Sequence, residues 1–140
     1  MLKAQWFNPY ESDEQIGLLQ WAAFKYPQET IWLFHPANGE KRDGKTAKRL
    51  EYMGVKSGVA DLFLPHPIRP FHGLWIEMKR RHGSKLSDNQ RRFLTDMANE
   101  GYCAAVAYGR EQGERIIDAY LEGRIKKGDY IWNEPKGDGK

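Results

Sequence analysis

The sequence contains one cysteine and no long hydrophobic segment, and these two scarcities exclude several classes of protein. Cys103 alone cannot form an internal disulfide or a cysteine-rich zinc site, and its apolar neighbours predict a small core residue. No apolar run approaches the roughly 20 residues that cross a membrane, and the first residues lack the apolar core of a signal peptide. We therefore expect a cytoplasmic protein.

The size and composition of the chain predict one folded domain. It has 140 residues, 40% of them hydrophobic, which is enough to build a core. There is no internal repeat and no low-complexity block. We expect a single domain over residues 1–125 and a polar, glycine-rich tail over residues 126–140, interrupted by Tyr130, Ile131 and Trp132.

Positive charge is concentrated in two segments, although the net charge is only +3. A polyanionic partner is the simplest interpretation, and two solvated helix faces are an equally good one. No zinc finger or other base-reading motif is present, so the expected role of the basic residues is to contact phosphate groups without reading sequence. The candidates for phosphate contact are Lys45, Lys48, Arg49, Arg80, Arg81 and Lys85.

Apolar spacing and turn residues predict four elements in the first half of the chain. A capping box, Ser12-Asp13-Glu14-Gln15, opens a first helix whose apolar face is spaced at Ile16, Leu19, Ala23 and Tyr26. A short strand, Ile31–Phe34, follows and is ended by Pro36 and Asn38-Gly39. A basic helix begins at about Thr46 and is capped by Gly54. A strand then covers about Ala60–Leu64.

The same features in the second half of the chain predict a strand, a helix, a strand and a helix. The predicted spans are Leu74–Lys79, a helix opened by the capping box Ser87-Asp88-Asn89-Gln90, Tyr102–Tyr108 and Glu114–Glu122. Such alternation predicts an α/β sandwich with a central mixed β-sheet flanked by helices.

Two of the predicted strands carry acids at positions where a core favours apolar residues. Asp61 lies in one, and Glu77 lies in the other with Lys79 two residues later, so Glu77 and Lys79 point to the same side. Burying these charges is costly unless they pair or bind a metal. The two carboxylates, together with the carbonyl of Met78, are ligands of the kind that Mg²⁺ prefers. Lys79 could orient or deprotonate an attacking water, or neutralise a transition state.

The acid, the apolar gap and the Glu-X-Lys strand together resemble the pattern of PD-(D/E)XK nucleases. Further pieces resemble the virus-type replication-repair nuclease (VRR-NUC) branch. In order, these pieces are Glu14, His35-Pro36-Ala37-Asn38-Gly39-Glu40, the glycine-containing approach to Asp61, Ile76-Glu77-Met78-Lys79, and Leu86-Ser87-Asp88-Asn89-Gln90. One departure is that Val59-Ala60 stands where the family has a proline before the aspartate.

The resemblance implies a restriction-endonuclease-like fold and a Mg²⁺-dependent DNA endonuclease, with Mn²⁺ as a substitute. It implies that Glu14, Asp61 and Glu77 surround the ion, that Lys79 lies beside it, and that Gln90 is near. It also implies a homodimer that acts on branched DNA such as four-way (Holliday) junctions. If the chain is phage-encoded, it would act in the bacterial host cell or nucleoid.

Each of these residues also has a structural interpretation. Glu14 would be stabilised by the helix dipole alone, Asp61 could cap a turn, and Gln90 could serve only its capping box. Glu77 and Lys79 could form a surface ion pair, which contributes little. Two alternative functions remain open, namely a non-catalytic module that binds structured DNA and a sequence-specific restriction-type endonuclease.

Overall fold

The computed structural model describes residues 7–37 and 44–127. The predicted Asn38-Gly39 turn and nearly all of the predicted C-terminal tail lie outside these residues. The described part contains, in chain order, helix α1 (Glu11–Lys25), helix α2 (Gly44–Tyr52), strand β1 (Leu62–Leu64), strand β2 (Leu74–Lys79), helix α3 (Asp88–Asn99), strand β3 (Cys103–Tyr108) and helix α4 (Arg110–Leu121).

The three strands form one mixed sheet with β2 in the centre. Strand β1 pairs with β2 in antiparallel register, with Leu62 opposite Ile76. Strand β3 pairs with β2 in parallel register, with Glu77 opposite Val106. The predicted α/β sandwich with a mixed central sheet is therefore confirmed.

Helices cover both faces of the sheet, and this explains why β2 is apolar on each side. One core cluster joins Leu18 of α1 and Ile116 of α4 to Ile76 of β2. A second cluster joins Leu94 of α3 to Val106 of β3, with Trp75 packed against it. Since side chains alternate along a strand, Trp75, Glu77 and Lys79 share the face that α3 covers.

The predicted strand Ile31–Phe34 is wrong. Residues 31–32 lie in a turn, and only Phe34 forms an isolated antiparallel bridge, with Phe63 of β1. Ile31 and Trp32 are 69% and 71% exposed. Their β-branched and aromatic side chains favour a strand locally, but in this fold they have no packed surface to lie against, and packing decides strand formation.

Two helix starts differ from the sequence-based expectation. Helix α1 begins at Glu11 after Tyr10, which makes no side-chain cap, so the Ser12 capping box is wrong. The buried face of α1 is Glu14, Leu18 and Ala22, and the predicted Ile16 is exposed. Helix α4 begins at Arg110, four residues before the predicted start.

Helix α2 differs from the other described helices because it packs against none of the described helices and strands. None of its residues is buried, and it contacts no other described helix or strand. Its C-terminus is closed as predicted by Gly54 at φ 103°, with the Val55 N–H donating to the Leu50 carbonyl at 2.9 Å. Among the described helices, none combines the length and apolar composition that a membrane span requires.

Candidate active site

Asp61, Glu77 and Lys79 converge at one end of the sheet, as the sequence predicts. The Lys79 Nζ atom lies 4.0 Å from the Glu77 Oε2 atom. Asp61 immediately precedes β1, and its Oδ2 atom accepts a hydrogen bond from the Met78 N–H at 2.8 Å. The Asp61 carboxylate thus accepts the hydrogen bond that the backbone of a neighbouring strand would otherwise accept from Met78. It lies beside Glu77.

The backbone before Asp61 is fixed by a close approach to α3. Gly58 has φ +89°, and a Cβ atom there would lie 2.5 Å from the Asn89 carbonyl oxygen. Only glycine fits both the conformation and the space. Ala60, one of the two residues at the place of the expected proline, is buried, and the His35 Nδ1 atom lies 2.6 Å from the Asp61 carbonyl oxygen. The turn is therefore held firmly without the proline.

Glu77 is the most strongly perturbed acid of this site. It is 2% exposed, and burial raises its pKa to about 9, assisted by the charge of Asp61 and by a hydrogen bond with the Asp61 carboxyl group. The positive charge of Lys79 acts in the opposite direction but is a smaller influence. The raised pKa favours a shared proton on this pair of carboxyl groups when no cation is bound.

The donor set at this position fits a divalent cation. The Glu77 Oε1 atom is buried and has no hydrogen-bond partner, which is costly for an acid unless a cation or a proton satisfies it. No group of three or more His, Cys, Asp or Glu side chains in residues 7–37 and 44–127 is arranged around a common metal position. Asp61 and Glu77 would therefore be the two acidic ligands, which suits Mg²⁺ because it usually keeps several waters.

Gln90 takes part in the predicted capping box and also contacts Glu77. Its Oε1 atom accepts the Ser87 N–H at 2.9 Å, and the Ser87 hydroxyl accepts the Gln90 N–H at 3.1 Å, which completes the predicted capping box. Its Nε2 atom donates to the Glu77 Oε2 atom at 3.0 Å. The start of α3 therefore orients the Glu77 carboxyl group through one amide.

The structure places Glu14 in a different network, away from the two acids. Its carboxylate accepts two hydrogen bonds from the Arg81 guanidinium, at 2.7 and 3.0 Å, and one from the Arg110 N–H at 2.9 Å. Arg81 also pairs with Glu111 at 2.7 Å. Glu14 thus joins α1 to the end of β2 and to the first turn of α4, where the helix dipole favours an acid.

Glu11 is an acid of the first helix that sequence reasoning did not consider. Its charge contributes to the raised pKa of Glu77, and its Oε2 atom accepts a hydrogen bond from the Ser84 hydroxyl at 3.4 Å. Placing the helix start at Ser12 left Glu11 outside the helix. The available clue was its spacing of three residues from Glu14, which places both acids on neighbouring positions of one helix face.

Comparison with known proteins shows the family of the chain. The family model described as the VRR-NUC domain matches residues 4–111. The chain belongs to the VRR-NUC family. A solved structure described as a VRR_NUC domain protein matches with 27% sequence identity and a TM-score of 0.71, covering 86% of this chain and 91% of that one. No curated protein matches the chain significantly.

Membership of the VRR-NUC family implies a nuclease-type function in DNA processing, and with it DNA binding. In this VRR-NUC domain the predicted phosphate contacts fall into two groups. Arg80 and Arg81 are occupied within the chain: Arg80 donates to the carbonyls of Asn8 and Pro9, and Arg81 is held by Glu14. The exposed group consists of Lys45, Lys48, Arg49 and Lys85.

Proposed function

We propose that this VRR-NUC domain is a metal-dependent endonuclease that hydrolyses backbone phosphodiesters in branched DNA, with four-way junctions as the preferred substrate. The observation that carries the proposal is the unpartnered, buried Oε1 atom of Glu77 beside a second carboxylate and an ammonium group. A purely structural core would gain stability by replacing such an acid, because its burial opposes folding.

Asp61, Glu77 and the Met78 carbonyl would hold Mg²⁺, or Mn²⁺ in its place. The N–H and C=O of one strand residue point to the same edge, and the Met78 N–H points to Asp61, so the Met78 carbonyl is directed to the same edge. A bound divalent cation would supply an activated water and offset charge that develops on the phosphate. Lys79, 4.0 Å from Glu77, would place its positive charge beside the scissile group, and Gln90 would keep Glu77 oriented.

The first-helix acid in this proposal is Glu11, since Glu14 is committed to Arg81 and Arg110. The preference for junctions and the homodimer rest on the family resemblance, because two active sites in one dimer would address two strands. The exposed basic residues support DNA binding of a kind that does not read bases.

A cleavage assay on matched junction, flap and linear duplex substrates tests the proposal. With Mg²⁺ or Mn²⁺ the wild type should cut the junction fastest, and EDTA should stop cleavage. Asp61→Asn and Lys79→Met should each lower the cleavage rate about 100-fold or more and leave junction binding nearly unchanged. Glu100→Gln, which removes an exposed acid at the end of α3, is the matched control and should cut normally.

Each contrary outcome points to a different conclusion. Junction binding without cleavage in any metal would identify a non-catalytic DNA-binding module. Discrete cuts at fixed sequences in a linear duplex library would identify a restriction-type enzyme. A monomeric mass on the junction would contradict the homodimer. Normal cleavage by Asp61→Asn would overturn the assignment of the site.

A further inference from the structure

Helix α2 is an exposed helix that the nuclease core does not use. It buries no residue and contacts no other described helix or strand. A short isolated helix is marginally stable in water, so a helix with this composition gains stability when a partner covers it. The question is which partner fits the side chains that α2 presents.

The side chains on α2 combine cations with large apolar groups on one surface. Lys45, Lys48, Arg49, Tyr52 and Met53 line the same open concavity. Positions 45, 48, 49 and 52 follow the spacing that places residues on one helix face. Tyr52 is 81% exposed and Met53 69% exposed. The acid Glu51 lies 4.0 Å from Lys48, and both are well exposed, so this pair is weak.

This combination is complementary to a nucleic acid strand with unpaired bases. Three cations against one acid give α2 a positive surface that attracts phosphate groups. An exposed aromatic ring beside them offers a face on which a base can stack, and such stacking does not depend on sequence. A continuous duplex satisfies only the cations, because its bases are already stacked. The same helix of a second copy fits worse, since like charges would face each other.

We propose that α2 is a docking arm for unpaired nucleotides, with Lys45, Lys48 and Arg49 on the phosphates and Tyr52, supported by Met53, stacked on a base. The proposal rests on the proposed function, because branched DNA with a single-stranded part, such as a flap, supplies unpaired nucleotides beside the branch. It assigns to Tyr52 a part in substrate choice that is separate from the chemistry at Glu77.

Fluorescence anisotropy in EDTA separates stacking from charge. The probes are a short fluorescein-labelled single strand and the duplex of the same sequence. Tyr52→Ala should weaken single-strand binding about 5- to 50-fold and change duplex binding less than about 2-fold. Tyr52→Phe keeps the ring and should bind like wild type. Because Tyr52 is exposed, all three proteins should unfold at the same temperature.

Photo-cross-linking gives a readout that a structural role for Tyr52 would not produce. A single strand carrying 5-iodouracil should cross-link to the tryptic peptide of residues 50–56, which contains Tyr52 and Met53. The yield should fall for Tyr52→Ala and persist for Tyr52→Phe. A cross-link confined to other peptides would refute the docking arm.

The outcomes distinguish this proposal from the nuclease proposal. If the wild type binds and cuts junctions but Tyr52→Ala binds the single strand as tightly as Tyr52→Phe, only the docking arm fails. If the wild type binds no DNA, both proposals fail. If Tyr52→Ala changes the oligomeric mass, α2 is an interface between copies and the docking arm is wrong. If it binds poorly yet cuts at the wild-type single-turnover rate at saturating DNA, the docking arm is supported.

Discussion

At the scale of single residues, Glu77 shows the conflict between folding and function. Glu77 is 2% exposed, its pKa is raised by burial and by the neighbouring Asp61 carboxyl group, and one of its oxygens has no hydrogen-bond partner. These features destabilise the ionised form in the folded chain. Proteins retain such groups where activity requires a strained or charged site, and stability is then lower than it could be.

Glu77→Gln should therefore stabilise the metal-free protein at alkaline pH. The pKa of Glu77 is raised from 4.5 to about 9 on folding, so above pH 4.5 the unfolded chain releases a proton that the folded chain retains. The contribution of protonated Glu77 to the stability of the folded chain is fully present below pH 4.5, and it is lost as pH rises towards 9. At pH 8 we expect the free energy of unfolding of the variant to exceed that of the wild type by about 1–3 kcal/mol. Urea denaturation in EDTA measures this difference.

The same variant separates the acid's two roles. The gain should shrink as pH approaches 5, and Mg²⁺ should raise the unfolding free energy of the wild type but not of Glu77→Gln, since only the wild type offers both carboxylates. An equal response of both proteins to Mg²⁺ would place the metal elsewhere. A pH-independent difference between them would show that the change acts through packing.

At the scale of elements, Glu14 connects three parts of the fold, and Glu14→Gln tests whether that is its role. The change leaves Arg81 partly buried with a weaker partner and removes a charge from the start of α4. We expect a loss of about 2–4 kcal/mol in unfolding free energy in EDTA and unchanged Mg²⁺ affinity by titration calorimetry.

Glu11→Gln is the matched comparison on the same helix. It removes an acid that acts on Glu77, so it should weaken Mg²⁺ binding and cleavage while leaving stability within about 0.5 kcal/mol of wild type. The reverse pattern, with Glu14→Gln losing metal affinity and keeping stability, would make Glu14 the metal ligand that the family pattern implies.

The elements that sequence predicted best are those whose local features and packing agree. The bounds of β2 were predicted without error because Gly73 and Arg80 mark clear ends of the mostly apolar run between them. The Ser87 capping box was also correct, since α3 continues with an apolar stripe. The phase of α1 was wrong because Leu18 and Leu19 are both apolar, and only the position of α4 decides which of them faces the core.

The same reasoning explains which parts of the site could be predicted. Asp61, Glu77 and Lys79 were predicted as one site because acids in apolar runs have few explanations, and the structure places the three side chains close together. Glu14 and Glu11 could not be ranked, because the choice depends on Arg81 and Arg110, which are 67 and 96 residues from Glu14 in sequence. In sequence, Arg80 and Arg81 are candidates for phosphate contact on the same grounds as Lys48. Only the fold shows that their guanidinium groups form hydrogen bonds within the chain.

At the scale of the whole molecule, three of the four exposed candidates for phosphate contact, Lys45, Lys48 and Arg49, lie on α2. Changing Lys45 and Lys48 together to Gln should therefore lower the slope of log affinity against log salt by about 1.4–1.8, for single-stranded and duplex DNA respectively. Arg124→Gln removes an exposed charge that pairs with Glu122 at 2.7 Å, and its slope should equal that of wild type. Anisotropy titrations over a series of NaCl concentrations give these slopes. A slope unchanged by the α2 substitutions would show that the DNA lies on another surface, because each phosphate that a cation neutralises releases its own counterions.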